Sequence, residues 1–307
     1  MICLVAFALL LMVPAMALAA ENGSAGNSAL QTQTADAAIN ETNFPDATFR
    51  NYVKTNIANG SDTLTGTMLD STTYIDVSGM QIKDLKGIEY FTNLTGLKCG
   101  VKSTQKTDGT WTSSINELTT LDVSKNTKLI YLDCGWNQLS ELNLSNNLGL
   151  KQLICYHNQL TNLDVRANTG LTMLYCSENQ LTGLNITQNL DLTQLFCGNN
   201  QLSELNLRNN KNLSILECYN NKISDLDLSN NTGLYNLSVS SNQLTKIDVG
   251  NNTELASFTC NNNQLTTLDV SKNTKLTYLA CNNNQLATLD VSKNTQLTNL
   301  VCNNNQL

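Results

Sequence analysis

The chain has 307 residues, a net charge of −7 and a single histidine, with a sequence pI near 4.7. An acidic chain without a basic run is a poor candidate for nucleic acid or an anionic membrane surface, and no nucleic-acid partner is expected. Its length does not imply one large globular core, because the chain is dominated by a short internal repeat whose core grows coil by coil.

Residues 1–19 read as a secretory signal peptide. The apolar run from Ile2 to Ala20 ends in Ala17-Leu18-Ala19, a small-residue cleavage site. That exit and the polar segment after it argue against a membrane anchor, so no transmembrane span is expected after signal removal. No Lys or Arg precedes the run; either the start lies upstream or the amino terminus alone supplies the positive charge. Cys3 stands at the beginning of the run, the wrong end for lipid attachment. Residues 20–42 are rich in Asn, Ser, Ala, Thr and Gln without periodicity, and are expected to be a disordered linker.

Residues 43–73 are expected to form a helical cap. Asn43-Phe44-Pro45-Asp46 looks like a helix start, with proline in the first turn. Phe49, Tyr52, Val53 and Ile57 follow at helical spacing, so a helix over 44–56 is expected to cover the open end of the coils, whose edge would otherwise aggregate. The stretch Asn59 to Thr65 has the outline of a helix–loop–helix calcium loop. Aligned on Leu64, its sixth position is Asp62 and its twelfth Met68, so the essential Gly and the bidentate Glu are missing. No metal and no cofactor are expected.

The core begins with Ile75, Val77, Ile82, Leu85 and Ile88 in the segment Tyr74 to Leu97. Cys99 fills the first cysteine slot, but the next Asn slot is Asn116, and 14 residues are inserted between. Asp108-Gly109 flanked by β-formers predicts a hairpin over about 101–114, carrying Trp111. From there the 21-residue unit typified by Leu265 to Gln285 repeats to the end. Cys134, Cys155, Cys176, Cys197, Cys218, Val239, Cys260, Cys281 and Cys302 mark its period. Each unit holds two L-x-x-L-x-φ-x-x-N blocks, φ being apolar, and each block alternates apolar and polar side chains. Two short parallel strands per turn are therefore expected, forming two sheets across a narrow Leu/Cys/Val core. The chain stops at Leu307 in mid-repeat and reads as a fragment, with the solenoid spanning 74–307.

Two files of asparagine close the corners. One runs from Asn137 to Asn305, the other from Asn126 to Asn294. An amide supplies both donor and acceptor to backbone groups that a tight corner leaves unpaired. The cysteine file is expected to be buried free thiols, since rungs ~4.8 Å apart hold Cβ atoms too far apart for a disulfide's roughly 3.5–4.5 Å. The second block exposes a file of carboxylates and amides, Asp122 to Asp290, expected to bond neighbouring coils and Ser or Thr.

This pattern resembles the leucine-rich repeat family, L-x-x-L-x-L-x-x-N-x-L. It is most similar to the bacterial 21-residue class with a nested second block, sometimes called IRREKO, over Leu118 to Leu307. Tyr74 to Leu97 resembles the first repeats of internalin-like proteins. The resemblance implies a mainly β repeat solenoid with an exposed strand face that binds other macromolecules, and no catalysis.

The outward positions of the Cys-bearing strand vary while the core does not. Tyr131, Ile154, Met173, Tyr175, Phe196 and Ile215 gather on the first five full coils, with Tyr156 and Tyr219 just after the cysteines, and Trp136 and His157 one place later. Later coils are small and polar. A contiguous patch of this kind marks a binding face; the competing explanation is strand propensity alone. Tyr175 and Phe196 are expected to be exposed, Asp133 and Glu217 to edge the patch with charge, and Trp111 to wall one side. No nucleophile–base pair survives inspection: Cys155 should point inward and His157 outward. The expected function is a monomeric, non-catalytic, secreted or cell-surface module that binds a protein or glycan. The alternative is a targeting or spacer segment of a larger exported enzyme.

Overall fold

The computed structural model describes residues 34–106 and 109–307. The expected signal peptide and residues 20–33 of the expected linker lie outside them. The remainder of that linker, 34–42, is built into the cap. Ala37–Ala38 (β1) pairs antiparallel with Thr63–Leu64 (β2), and Ile39 is buried. Apolar alanines and an isoleucine, unremarkable in composition, find partners only when the loop after the helix comes back beside them.

The cap helix α1 is Ala47–Tyr52, and it continues as one wider π-helical turn, Val53–Ile57. The start expected at Phe44 is displaced three residues because Asp46 is the cap. Its Oδ1 accepts from the Thr48 and Phe49 amides, both at 2.9 Å. Its Oδ2 accepts from Lys83 N at 2.9 Å, which ties the cap to the first coil. Phe44, just outside the helix, is fully buried and packs edge-on to Phe49 with ring centroids 5.8 Å apart. It lies so close to Gly87, at φ +105°, that a Cβ there would strike its ring. Asp62 of the calcium-like loop is held by Lys54, Nζ to Oδ1 2.6 Å. A second short helix, Gly66–Ser71 (α2), leads into the solenoid.

Eleven parallel strands of three residues each form one sheet: Tyr74–Asp76 (β3), Gly96–Lys98 (β4), Tyr131–Asp133 (β7), Gln152–Ile154 (β8), Met173–Tyr175 (β9), Gln194–Phe196 (β10), Ile215–Glu217 (β11), Asn236–Ser238 (β12), Ser257–Thr259 (β13), Tyr278–Ala280 (β14) and Asn299–Val301 (β15). The register is unslipped, Leu132 opposite Leu153 and Leu153 opposite Leu174. From β3 to β14 the central residue of each strand, leucine except for Ile75 and Phe258, and the residue just after the strand, cysteine except for Val77 and Val239, point inward and meet leucines and valines of the returning half such as Leu144 and Val165. Lys102–Gln105 (β5) and Trp111–Ser114 (β6) form an antiparallel hairpin between β4 and β7.

The second block of each unit, expected as a strand, carries no sheet. After three extended residues such as Leu121-Asp122-Val123 the chain enters successive tight turns, Asn126 N to Val123 O at 3.0 Å and Leu129 N to Asn126 O at 3.1 Å. The Val123 carbonyl also accepts from the next coil's asparagine, Asn147 Nδ2, at 3.0 Å. Side-chain amides thus take over the coil-to-coil bonding that a backbone ladder would supply. The other file works through both ends of its amide. Asn158 Oδ1 accepts from Leu139 N, and its Nδ2 donates to the carbonyls of Cys134 and Cys155.

The Asp122 to Asp290 file bonds Ser or Thr in most coils, as expected, but within its own coil rather than chiefly to its neighbours. Each side chain accepts first from the amide two residues ahead in its own coil, as Asp122 from Ser124 N at 2.8 Å and Asp290 from Ser292 N at 2.8 Å. These are Asx turns that end the extended segment. The Ser124 hydroxyl and amide hold Asp122 below its ordinary range, and Arg166 holds Asp164 down at about 2. The nine cysteines from Cys99 to Cys302 are free; all but Cys302 are buried, and burial pushes the Cys176 and Cys218 thiols up to about 12.

Candidate functional site: the strand face

The outward side chains of β7 to β11 form one surface, because the parallel register stacks equivalent positions on adjacent rungs. Tyr131, Ile154, Met173, Phe196 and Glu217 are half-buried there, whereas Tyr175, Ile215 and Asp133 are each 7% exposed. The exposure expected for Tyr175 is therefore corrected. Its ring packs edge-on to Phe196 with centroids 4.3 Å apart, and its hydroxyl donates to Gln194 Oε1 at 2.8 Å. Large side chains on rungs ~4.8 Å apart cover one another even when they point away from the core. Tyr175 nonetheless lies outside the interior cluster of leucines and cysteines.

Tyr156 and Tyr219 lie over glycines of the preceding coil. A Cβ at Gly135 would meet the Tyr156 ring at 2.8 Å, and one at Gly198 would meet the Tyr219 ring at 2.7 Å. These glycines, not anticipated as part of the face, are what let the rings lie flat along it. The alternation Gly135, Tyr156, Ser177, Gly198, Tyr219 was the available signal.

One place further on, every coil from β7 to β15 puts a residue in the left-handed region. Six of the nine are Asn or Ser: Asn199, Asn220, Ser241, Asn262, Asn283 and Asn304. The other three are consecutive, Trp136 at φ +55°, His157 at +53° and Glu178 at +56°. The Trp136 and His157 rings stack with centroids 3.7 Å apart. His157 Nδ1 is bonded to Glu178 Oε2 at 2.8 Å. Glu178 was missed from sequence, although it stands 21 residues after His157 in the same slot. Cys155 is fully buried behind the strand, while His157 is at the surface with Glu178, so the two do not form a nucleophile–base pair.

Asp133 is the most enclosed charge on the face. Oδ1 accepts from Gly135 N at 3.2 Å and Oδ2 from the Tyr131 hydroxyl at 3.5 Å, while Gly100 leaves room beside it. Burial raises its carboxyl to about 6, against the lowering by Gly135 N and by Lys98. Burial also raises Glu217. Trp111 is 48% exposed on the hairpin. The hairpin base seats on Gly79, where a Cβ would collide with Lys102 and Ser114. Gly79 belongs to the coil of β3, so the base packs on that coil, while Gly100 just before the hairpin lies against Asp133 and Gly135 of the β7 coil. Among the described residues no group of three or more His, Cys, Asp or Glu is placed to hold a metal ion, and no helix is long and apolar enough to cross a membrane.

No family model and no curated protein matches the chain. Solved structures do. The functional domain of InlJ from Listeria monocytogenes, which includes a cysteine ladder, is 35% identical over 87% of this chain and 61% of that one, with a TM-score of 0.70. A leucine-rich repeat protein of Leptospira interrogans is 24% identical over 71% of this chain and 63% of its own, TM-score 0.61. A plant peptide hormone receptor, solved with its peptide, is 19% identical over 73% of this chain and 38% of its own, TM-score 0.60. The last two likenesses show the fold alone. The chain spans less than two thirds of the length of each of these structures. Its coil and its likeness to InlJ make this chain a leucine-rich repeat protein of the bacterial, internalin-like kind.

Proposed function

We propose that the chain is a non-catalytic recognition module, secreted or displayed on a cell surface, that binds a protein or a glycan through the strand face of its first five full coils. The observation that carries this reading is the row Trp136, His157, Glu178. The left-handed conformation disfavours ordinary side chains by roughly 1–2 kcal/mol, and among residues with a side chain Asn tolerates it best. Most other coils use Asn in that slot. Three adjacent coils that give it up for an indole, an imidazole and a carboxylate, in mutual contact, retain strain that the fold does not require, and such strain concentrates at binding sites. The aromatic surface beside them supplies rigid contact area of the kind enriched at interface hot spots. The bacterial internalin-like kinship and the leader-like residues 1–19 support an extracellular setting. The face of β12 to β15, small and mostly polar apart from Tyr278 and Val301, fits a spacer role for the later coils.

The test compares the wild type with the triple variant Trp136→Asn, His157→Asn, Glu178→Asn on protein and glycan arrays. Relieving three strained positions should outweigh the lost stacking and the lost His157–Glu178 hydrogen bond, so the variant should melt no lower than wild type. It should lose the ligands that wild type captures. A control pair in the bland coils, Thr259→Ala with Val301→Ala, should keep them. Undiminished capture by the triple variant would remove the reading.

A further inference from the structure

The charged side chains on the strands themselves are few: Asp76 on β3, Lys98 on β4, Asp133 on β7 and Glu217 on β11. Asp133 and Glu217 enclose an apolar floor of Ile154, Tyr175 and Phe196. No ion pair engages Asp133 or Glu217 among the described residues. Lys98 sits opposite Asp133 in the register and is flanked on its other side by Asp76, so one ammonium is shared between two carboxylates. Glu217 has Phe196 and Ser238 as its register neighbours, and neither offers a charge.

A carboxylate withdrawn from water without a counter-ion is costly, and the cost is recovered when a cation is brought to it in good geometry. We propose that the face binds a protein segment with a lysine or arginine at each end of an apolar stretch, one cation seated on Asp133 and the other on Glu217. The proposal rests on the recognition reading above and names the class of its ligand. Four rungs separate the two carboxylates, about 19 Å at ~4.8 Å per rung, which an extended segment spans in about six residues at ~3.3 Å each. Guanidinium and ammonium groups meet carboxylates in short, charge-assisted bonds. The aliphatic and edge-packed aromatic floor between them suits apolar side chains better than hydroxylated sugar rings. The chain's net charge of −7 favours encounter with a basic partner.

The experiment pans a random linear peptide phage library on the full chain and on Asp133→Asn and Glu217→Gln. Both substitutions keep shape and remove an unpaired charge, so melting curves should show folded proteins. Wild type should enrich peptides with Lys or Arg at both ends of an apolar run of about six residues. Each variant should lose the basic preference at one end and bind the wild-type peptides at least about tenfold more weakly. Enriched peptides without basic residues, or affinity unchanged from wild type in both variants, would overturn the inference and leave the recognition reading standing. Failure to enrich any peptide, with capture on a glycan array, would do the same. Failure on both would remove the recognition reading as well.

Discussion

Asp133 shows how a single residue takes its properties from its neighbours. In the sequence it is one of several acids at the edge of a variable file. In the fold it lies between Tyr131, Gly135 and Gly100, nearly out of water, and its carboxyl is raised to about 6 from an ordinary 3.8. Between those two pH values the folded chain holds a proton that the unfolded chain does not. Stability from this residue is therefore greatest below about pH 4 and declines as pH rises through about 6, a loss on the order of 2–3 kcal/mol. Asp133→Asn should be more stable than wild type at pH 7 by about that amount, with the difference vanishing near pH 4. Denaturant titrations across that range check it, and a difference independent of pH would contradict it. The opposite sign holds for Asp122, Asp164, Asp227, Asp269 and Asp290, whose carboxyls are lowered by Asx turns and Arg166. Any stability from those exposed groups is lost as pH falls, which is why the comparison is made between variant and wild type.

Among the elements, the cap is where local signals and tertiary contacts diverged most. Phe49 and Val53 read as the apolar face of a helix, and they are fully buried. Pro45 suits a first helical turn, but Asp46 does the capping and also reaches Lys83 in the first coil, so the helix begins after it. Asp46→Ala removes a cap worth roughly 1 kcal/mol and leaves the Lys83 amide without its partner, at a net cost of about 1 kcal/mol. A loss of about 2 kcal/mol in chemical unfolding is expected, with Asp46→Asn recovering the cap but not the charge. A loss confined to a few tenths would show that the cap is not coupled to the coils. The second block of the repeat teaches a related point. Its Leu-Asp-Val alternation is as regular as that of the strands, yet Asx turns cut it to three residues and asparagine amides occupy its carbonyls. Alternation identified which side chains go inward. It did not decide whether the backbone would pair.

For the molecule as a whole, the cysteine file runs the length of the solenoid within the interior. Desolvation raises the buried thiols from Cys99 to Cys281, as for Cys176 and Cys218 at about 12, and only the thiolate reacts readily. Thiol counting should find the buried members of the file, Cys99 to Cys281, slow to label in the folded chain and fast on unfolding. Cys302, half-buried in the last coil, should label first. Rapid native labelling throughout, or stable disulfides between adjacent rungs, would show that the file is not a packed row of thiols.

The sequence alone determined the coil: its 21-residue length, its inward leucines and cysteines, and the two asparagine files that bond them together. All of these follow from side-chain periodicity and from the need to pair the backbone at every corner, and both are local and repeated, so each coil restates the evidence. The tertiary structure decided what is not repeated. It placed residues 34–42 in the cap through a two-residue pairing with β2, beyond the reach of composition. It buried Tyr175 by packing Phe196 edge-on against it, a contact between residues 21 apart that are adjacent only once the rungs are in register. It laid Tyr156 and Tyr219 across Gly135 and Gly198, and it set Glu178 against His157. The face was legible as a file of large side chains. Which of them are covered, which carry unpaired charge and which sit in strained backbone depends on distances between coils, and those exist only after the chain has wound.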